Sequence, residues 1–482
     1  MPHPQTEHVI ILMLENRSFD HLLGFLDHPK PFEGLHGGPV TNPDNAGNQI
    51  PATPTATFEV ARDPNHQHFG VMFQLTETGP SGNPPHYQRP YSINNRGFVK
   101  EYERRAPGHG AEIMRCHAPR NIPVLATLAK SFALCDHWFA SVPGQTWPNR
   151  FFAHAAQSSA TVNNYLALYG MRTIYHALRD AGVTWQIFHH GDAHARSMPV
   201  TWSHMLRMPA FFQRVAANNL PQYSFIEPNH LGDPAVTNSQ HPGKNETGTG
   251  GADFKAGEQL IRSVYRALIA NETVWRKSVL VITYDEHGGF FDHVAPPPAV
   301  APDARLSPER FAFDLLGVRV PAVIVSPYVE EATVDTTVYD HSSIVASVRE
   351  QFGIAASLTK RDRTANTFWR NLTLDQPRLA GSIPALDGPE FAELEMLGGA
   401  APEESAAGER PPDDDELDMV WIAQQLDRVM DAEQAEAGPG PEAGLETLGP
   451  PAEPPLETQR GVGDFAQDVD ARFVPPADPD LF

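Results

Sequence analysis

The chain reads as an α/β protein with a central, mostly parallel sheet flanked by helices, on three observations. Residues 8–14 (HVIILML) and 278–284 (SVLVITY) are short apolar runs rich in β-branched side chains, as strands buried on both faces of a parallel sheet are. Each run stops abruptly at a pair of oxygen-bearing residues, Glu15-Asn16 and Asp285-Glu286. Ahead of the second run, 253–269 places Leu260, Ile261, Val264 and Leu268 on one side of a helix, giving a β-α-β-like unit.

The remaining elements follow in chain order. Residues 31–110 are rich in Pro, Gly and Asn and are expected to form long loops that lid a pocket. Their aromatics Phe58, Phe69, Phe73, Tyr87 and Tyr91 would line an apolar site or, more commonly for such residues, pack the loops together. Helices are expected at 122–130 and 148–157, the second opened by Pro148, whose missing N–H costs nothing in a first turn. Strands are expected at 183–188 and 223–226, then the helix 253–269 and the strand 278–284. A further strand at 318–325 and a helix at 342–351 complete the series.

Charge divides the chain in two. The 482 residues carry a formal −23, but 386–482 hold 25 Asp and Glu against 4 Lys and Arg, which leaves 1–385 near neutral at −2. The expected division is therefore a folded body at 1–385 and an acidic Pro/Ala/Glu-rich extension at 386–482. Within the extension, 413–432 loads acids at its start and repeats Met419, Ile422, Leu426, Val429 and Met430 at helical spacing. That is an amphipathic helix, better suited to packing on the body than to an anionic membrane. The absence of a strongly basic stripe argues against a nucleic-acid partner and leaves a zwitterionic head group open. No run approaches the roughly 20 apolar residues needed to span a bilayer, so no transmembrane anchor is expected. Without an evident signal peptide the default location is cytoplasmic, or secreted if a leader has been trimmed away. Cys116 and Cys135 are too few for a disulfide scaffold, and nothing demands that they pair.

Two strands ending in Glu15-Asn16 and Asp285-Glu286 can converge on one hard cation, and such oxygen donors suit Ca²⁺, Mg²⁺ or Mn²⁺. The plain alternative is strand-end acids facing water. Between them lies ASVPGQTWPNRFFAH at 140–154. With Pro148 in the first turn, Thr146 or Trp147 is the expected N-cap. A hydroxyl there meets free backbone N–H groups and the positive end of the helix dipole, a setting that binds phosphate. Asn149, one turn on, would donate to a phosphoryl oxygen; the plain alternative is a capped helix without chemistry.

Four blocks carry a family resemblance: ENRSFDH at 15–21, GQTWPNR at 144–150, YDEHGGFFDHV at 284–294 and GVRVPAVIVSP at 317–327. In this order, over roughly residues 8–355, the chain resembles a phosphoesterase family. That family contains bacterial phosphatidylcholine-type phospholipases C, plant non-specific phospholipases C and a related acid phosphatase. The resemblance implies an alkaline-phosphatase-like fold and hydrolysis through a covalent phospho-enzyme. It makes Thr146 the nucleophile and puts Glu15, Asn16, Asp285, Glu286 and the Thr146 oxygen around a single divalent ion, with Zn²⁺ also open. Histidines would take the electrostatic place of a second metal and protonate the leaving group.

All 22 histidines fall within 1–341. His66 in RDPNHQH and His241 in NSQHPG sit in blocks similar to the family's histidine segments and are the expected catalytic pair. His189 and His190 are candidate phosphate contacts, as are His287 and His293 unless they brace their own loop; His21 and His341 are expected to be structural. The sequence departs from the phospholipase pattern at 243–251 (GKNETGTGG), which lengthens the rim after His241. The implied activity is phospholipase C cleavage of glycerophospholipids to diacylglycerol and a phosphorylated head group, with transient contact at a lipid surface. An acid phosphatase acting on small phosphomonoesters would share the same core. A non-catalytic phosphate- or lipid-binding protein is a third reading, disfavoured by the intact Glu-Asn, Thr and Asp-Glu sets.

Overall fold

The computed structural model describes residues 1–391 apart from 166, 192, 231–236 and 243–251. The expected helix at 413–432, most of the acidic extension and the lengthened rim at 243–251 lie outside the described residues.

Among the described residues ten strands occur in chain order: β1 (His8–Leu14), β2 (Thr41–Pro43), β3 (Gln49–Pro51), β4 (Ala133–Cys135), β5 (Trp185–His189), β6 (Met205–Arg207), β7 (Tyr223–Glu227), β8 (Ser278–Tyr284), β9 (Ala322–Val325) and β10 (Thr333–Asp335). Eight form one sheet in the order β10-β4-β9-β8-β1-β7-β5-β6, while β2 and β3 make a separate antiparallel pair. From β8 through β1, β7 and β5 to β6 every pairing is parallel, and β9 alone runs against both its neighbours. The mostly parallel sheet is therefore observed, with helices flanking it.

The two apolar runs at its centre pair with each other from His8↔Ser278 to Leu14↔Tyr284. All of β8, and β1 beyond its first residue, is buried, which is why neither run alternates in polarity. Because Leu14 and Tyr284 lie opposite each other, Glu15 and Asp285 leave the sheet side by side, with Asp285 N donating to Leu14 O at 3.2 Å. On the other side of β1, Leu12 pairs with Ile226, so Glu227 ends β7 at nearly the same level. Three adjacent strands thus deliver carboxylates to the edge where open α/β sheets place ligands.

Several expectations change. Residues 31–110 are not all loop: besides β2 and β3 they contain the helices His68–Thr76 and Phe98–Arg105. These helices build a second apolar cluster from Val71, Met72, Leu75, Phe98, Val99 and Tyr102, joined by Phe290, Phe291 and Phe311. Tyr87 and Tyr91 pack against that cluster, and the Tyr87 hydroxyl donates to Thr78 O at 2.7 Å, so these two loop aromatics are packing residues. The strand expected at 318–325 shrinks to Ala322–Val325 and reverses direction; Pro321 has no N–H to give a ladder. The body also extends past residue 385: Leu386 and Phe391 are buried, and Arg262 Nε donates to Leu386 O at 2.7 Å. Cys116 and Cys135 are both free and buried. Among the described residues no helix is long and apolar enough to cross a membrane.

Candidate active site at the strand ends

The helix expected at 148–157 runs instead from Thr146 to Ala155, two residues earlier, and neither Thr146 nor Trp147 is its N-cap. Gln145 is the N-cap, in extended conformation at φ −78° and ψ 179°, and Thr146 is the first helical residue. The surrounding hydrogen bonds explain the shift. Gln145 Oε1 accepts from Asn164 N at 3.0 Å, and Asn164 Oδ1 accepts from Trp147 N at 2.9 Å. Gly144 sits so close beneath Val162 that a Cβ would lie 2.0 Å from its carbonyl oxygen. The Thr146 side chain is fully buried, and its Oγ1 donates to Asn16 Oδ1 at 3.4 Å.

Asn149 does not face a ligand as expected. Its Oδ1 accepts from Val142 N at 3.0 Å, while its Nδ2 donates to Gly144 O at 3.1 Å and Gln145 O at 2.9 Å. Both ends of the amide are spent on the loop that carries Thr146, which makes Asn149 a positioning residue.

Arg150, on the same helix, ties the strand ends together. Its Nε donates to Asp285 Oδ2 at 2.8 Å, its Nη1 lies 3.5 Å from Glu227 Oε2, and its Nη2 donates to Met13 O at 3.2 Å. Asp285 Oδ1 also accepts from Glu286 N at 2.7 Å, and its carbonyl accepts from His341 Nε2 at 2.6 Å. His341 is the structural residue it was expected to be. Glu286 Oε2 accepts from Gly288 N at 2.7 Å. Gly288 has φ +63°, and a Cβ there would fall 2.2 Å from Asn16 O, so only glycine allows this approach.

Charge in this cluster is unbalanced. Glu15, Glu227, Asp285 and Glu286 are all buried to 1 % exposure or less, and Arg150 is the cation facing the first three. Burial pushes the Asp285 carboxyl well above its usual range; Arg150 opposes the shift, and Glu15 and Glu286 reinforce it. Against the cost of burial, His230, with His194 and Arg150, holds Glu15 well below the usual range. Glu15 Oε1, Asn16 Nδ2 and Glu286 Oε1 make no hydrogen bond. A surplus of buried carboxylate with oxygen atoms still unsatisfied fits a bound cation.

The histidines sort into different roles. His66 and His241 come together as expected: their ring centroids are 6.0 Å apart, and their ligand atoms lie with one from Asp63 in a group within 4.8 Å. His66 Nδ1 bonds to Pro64 O at 3.1 Å and lies 4.0 Å from Glu286 Oε1. His287 braces, with Nε2 bonded to Gln74 Oε1 at 2.8 Å and Nδ1 3.3 Å from Glu286 Oε2. His293 also braces, 2.7 Å from Asp20 Oδ2 and 3.1 Å from Glu33 Oε1; Asp20 and Asp292 overcome burial and raise it to about 9. Arg319 already answers that acidic pair, reaching Asp292 at 2.9 Å and Asp20 at 3.0 Å. His189 bonds to its neighbour's carbonyl at Gly191, and exposed His190 accepts from Asn238 Nδ2 at 2.6 Å. His189 is thus occupied within its own loop, and His190 by the stretch that follows β7.

The sequence profile of the phosphoesterase family matches residues 6–355. The chain belongs to the phosphoesterase family. This phosphoesterase-family protein is accordingly a phosphoric ester hydrolase. It is similar to non-specific phospholipase C3 of Arabidopsis thaliana, 33% identical over 422 residues that cover 80% of this chain and 77% of that protein. Phospholipase C B of Mycobacterium tuberculosis is 27% identical over 454 residues, covering 81% of this chain and 82% of that protein. A solved protein of the alkaline phosphatase superfamily from Vibrio parahaemolyticus aligns at 12% identity and TM-score 0.32, over 51% of this chain and 64% of that one.

Sequence reasoning missed Arg150, Glu227, His194 and His230 in this phosphoesterase-family site. A signal existed for Glu227, which follows the apolar run 223–226 as Glu15 and Asp285 follow theirs. Arg150 closes the GQTWPNR block. His194 and His230 stand in irregular stretches without periodicity, and only the tertiary fold brings them to Glu15.

Proposed function

We propose that this protein is a metal-dependent phospholipase C that uses Thr146 as nucleophile and hydrolyses glycerophospholipids to diacylglycerol and a phosphorylated head group. The observation that carries the reading is the Thr146 hydroxyl in the first turn of its helix, bonded to Asn16 beside a buried surplus of strand-end carboxylates. The phospholipase C names of its relatives support the substrate class.

In this account the Thr146 hydroxyl releases its proton to solvent and Oγ1 attacks phosphorus, aided by the backbone N–H groups of the helix start. A Thr146 O–P bond forms as the bond to the diacylglycerol oxygen breaks, and that oxygen takes a proton from His66 or His241. Water then attacks the phosphothreonine diester, releasing the phosphorylated head group and restoring the hydroxyl. Asn149 and Arg150 hold the nucleophile loop and Asp285 in place during both steps. Glu15, Asn16, Asp285 and Glu286, with the Thr146 oxygen, would hold a divalent ion (Ca²⁺, Mg²⁺ or Mn²⁺ by donor type, with Zn²⁺ also open) that lowers the hydroxyl's pKa and neutralises charge developing on the phosphoryl group. Contact with a lipid surface would be transient.

A two-substrate comparison tests this reading. A soluble choline phosphodiester should be turned over with a kcat/KM at least about tenfold above that of a nitrophenyl phosphomonoester, a barrier difference of about 1.4 kcal/mol. The reverse preference would assign the same site to phosphomonoesters.

A further inference from the structure

We propose that Glu15, His194 and His230 form an imidazole-bearing metal seat of their own, suited to Zn²⁺ and oriented from behind by Glu227. Nothing in this depends on the phospholipase reading, because the seat would take up metal whatever the substrate.

The geometry begins with Glu227. Its two carboxylate oxygens accept from His194 N at 2.9 Å and Ala195 N at 3.0 Å, which fixes the group at the end of β7. From there Oε2 lies 3.6 Å from His194 Nδ1 and 3.4 Å from His230 Nε2. The opposite nitrogens of both rings turn to Glu15: His230 Nδ1 is 2.9 Å from Oε2, and His194 Nε2 is 3.8 Å from Oε1. One ligand atom from each of Glu15, His194 and His230 falls within a group 4.8 Å across. Each imidazole thus has a carboxylate behind it and a third ligand in front, the arrangement in which a second carboxylate sets tautomer and ring orientation for a bound metal.

Ion pairing alone does not account for these contacts. Both histidines are buried to 2 % exposure or less. No ring nitrogen of either makes an aligned hydrogen bond, and neither does Glu15 Oε1. The 2.9 Å approach of His230 is close but off line for one. The two rings are 4.2 Å apart, centroid to centroid, so two imidazolium charges there would repel. Two imidazoles and one carboxylate are the ligand types of a three-ligand zinc site that keeps its fourth position open. They select a borderline transition metal rather than Ca²⁺ or Mg²⁺. Glu15, which also belongs to the expected oxygen-donor set, would stand between the two seats.

The test is binding of Zn²⁺ alone to metal-stripped full-length protein, read by calorimetric titration and by metal content after dialysis. The expected result is a Zn²⁺-binding event that weakens at least about 100-fold in the His194→Ala/His230→Ala double variant. Glu227→Gln should weaken it about 10–100-fold, and Glu286→Gln should leave it within a few-fold. Three results would overturn the seat: no zinc uptake by the wild type, unchanged uptake in the double histidine variant, or equal loss in that variant and in Glu286→Gln. Should the double variant fail to melt cooperatively, Co²⁺ added to the wild type decides. Strong visible absorption of a four-coordinate, nitrogen-bearing site supports the seat, and the weak spectrum of six-coordinate oxygen ligation contradicts it.

Discussion

Arg150 is the residue on which the site's electrostatics turn. Its guanidinium is fully buried, and Asp285, Glu227 and Glu15 raise its pKa against the cost of burial. Removing one partner of a buried pair leaves the others uncompensated, so Arg150→Met should lower stability by about 3–5 kcal/mol, read as a lower denaturant midpoint at unchanged m-value. Lysine should not rescue it, because a single ammonium cannot reach Asp285, Glu227 and the Met13 carbonyl as a fork does. At this scale the sequence was legible where chemistry followed a strand: Glu15, Asn16, Asp285 and Glu286 sit where the apolar runs said they would. Side-chain direction was not legible. Nothing in GQTWPNR tells that Asn149 turns back onto residues 142–145 while Arg150 reaches across to β8, since both choices depend on what β1 and β8 present opposite the helix.

Among the elements, helix Pro123–Ser131 owes its start to another helix. Its own N-cap, Ile122, offers no side-chain acceptor; Glu258, on the helix Ala252–Ala270, accepts from Val124 N at 2.7 Å and Leu125 N at 3.3 Å instead. Burial pushes the Glu258 carboxyl up to about 8, with the two backbone bonds only partly opposing it. A carboxyl raised in the folded state holds its proton there at pH values where the unfolded chain releases it. Its stabilising contribution is therefore complete below about 4.3, the unfolded value, and is lost as pH rises towards 8. Glu258→Gln keeps a carbonyl acceptor for the cap, so its melts should match wild type near pH 5 and exceed it near pH 8. Equal pH dependence in both proteins would contradict the assigned protonation. Long buried strands and the long amphipathic helix were readable because burial on both faces, or on one stripe, leaves a pattern over many residues. The three-residue strands β4, β6 and β10 are too short to show a period, and the helices within 31–110 were hidden by the Pro- and Gly-rich loops around them.

For the whole molecule, the charge step at residue 386 is a compositional boundary, and the packed body runs beyond it. Tyr265 donates to Pro384 O at 2.7 Å, and buried Leu386 and Phe391 close that surface. A chain ending at 391 should keep turnover of a soluble phosphodiester within a few-fold of full length. One ending at 385 should melt lower, since it loses two buried apolar side chains, each worth about 2–5 kcal/mol. Loss of turnover in a cooperatively folded 1–391 chain would mean that the acidic extension completes the active site. The central claim is that Thr146 carries the phosphoryl group during turnover, and acid-quenched protein analysed by peptide mass spectrometry tests it most directly. With a choline phosphodiester, the wild type should carry a phosphocholine adduct on Thr146. Thr146→Ala should carry none, and its rate should fall by about three orders of magnitude, a barrier rise of about 4 kcal/mol. An unmodified Thr146 under steady turnover, together with a Thr146→Ala variant that keeps more than about a tenth of the wild-type rate, would contradict it.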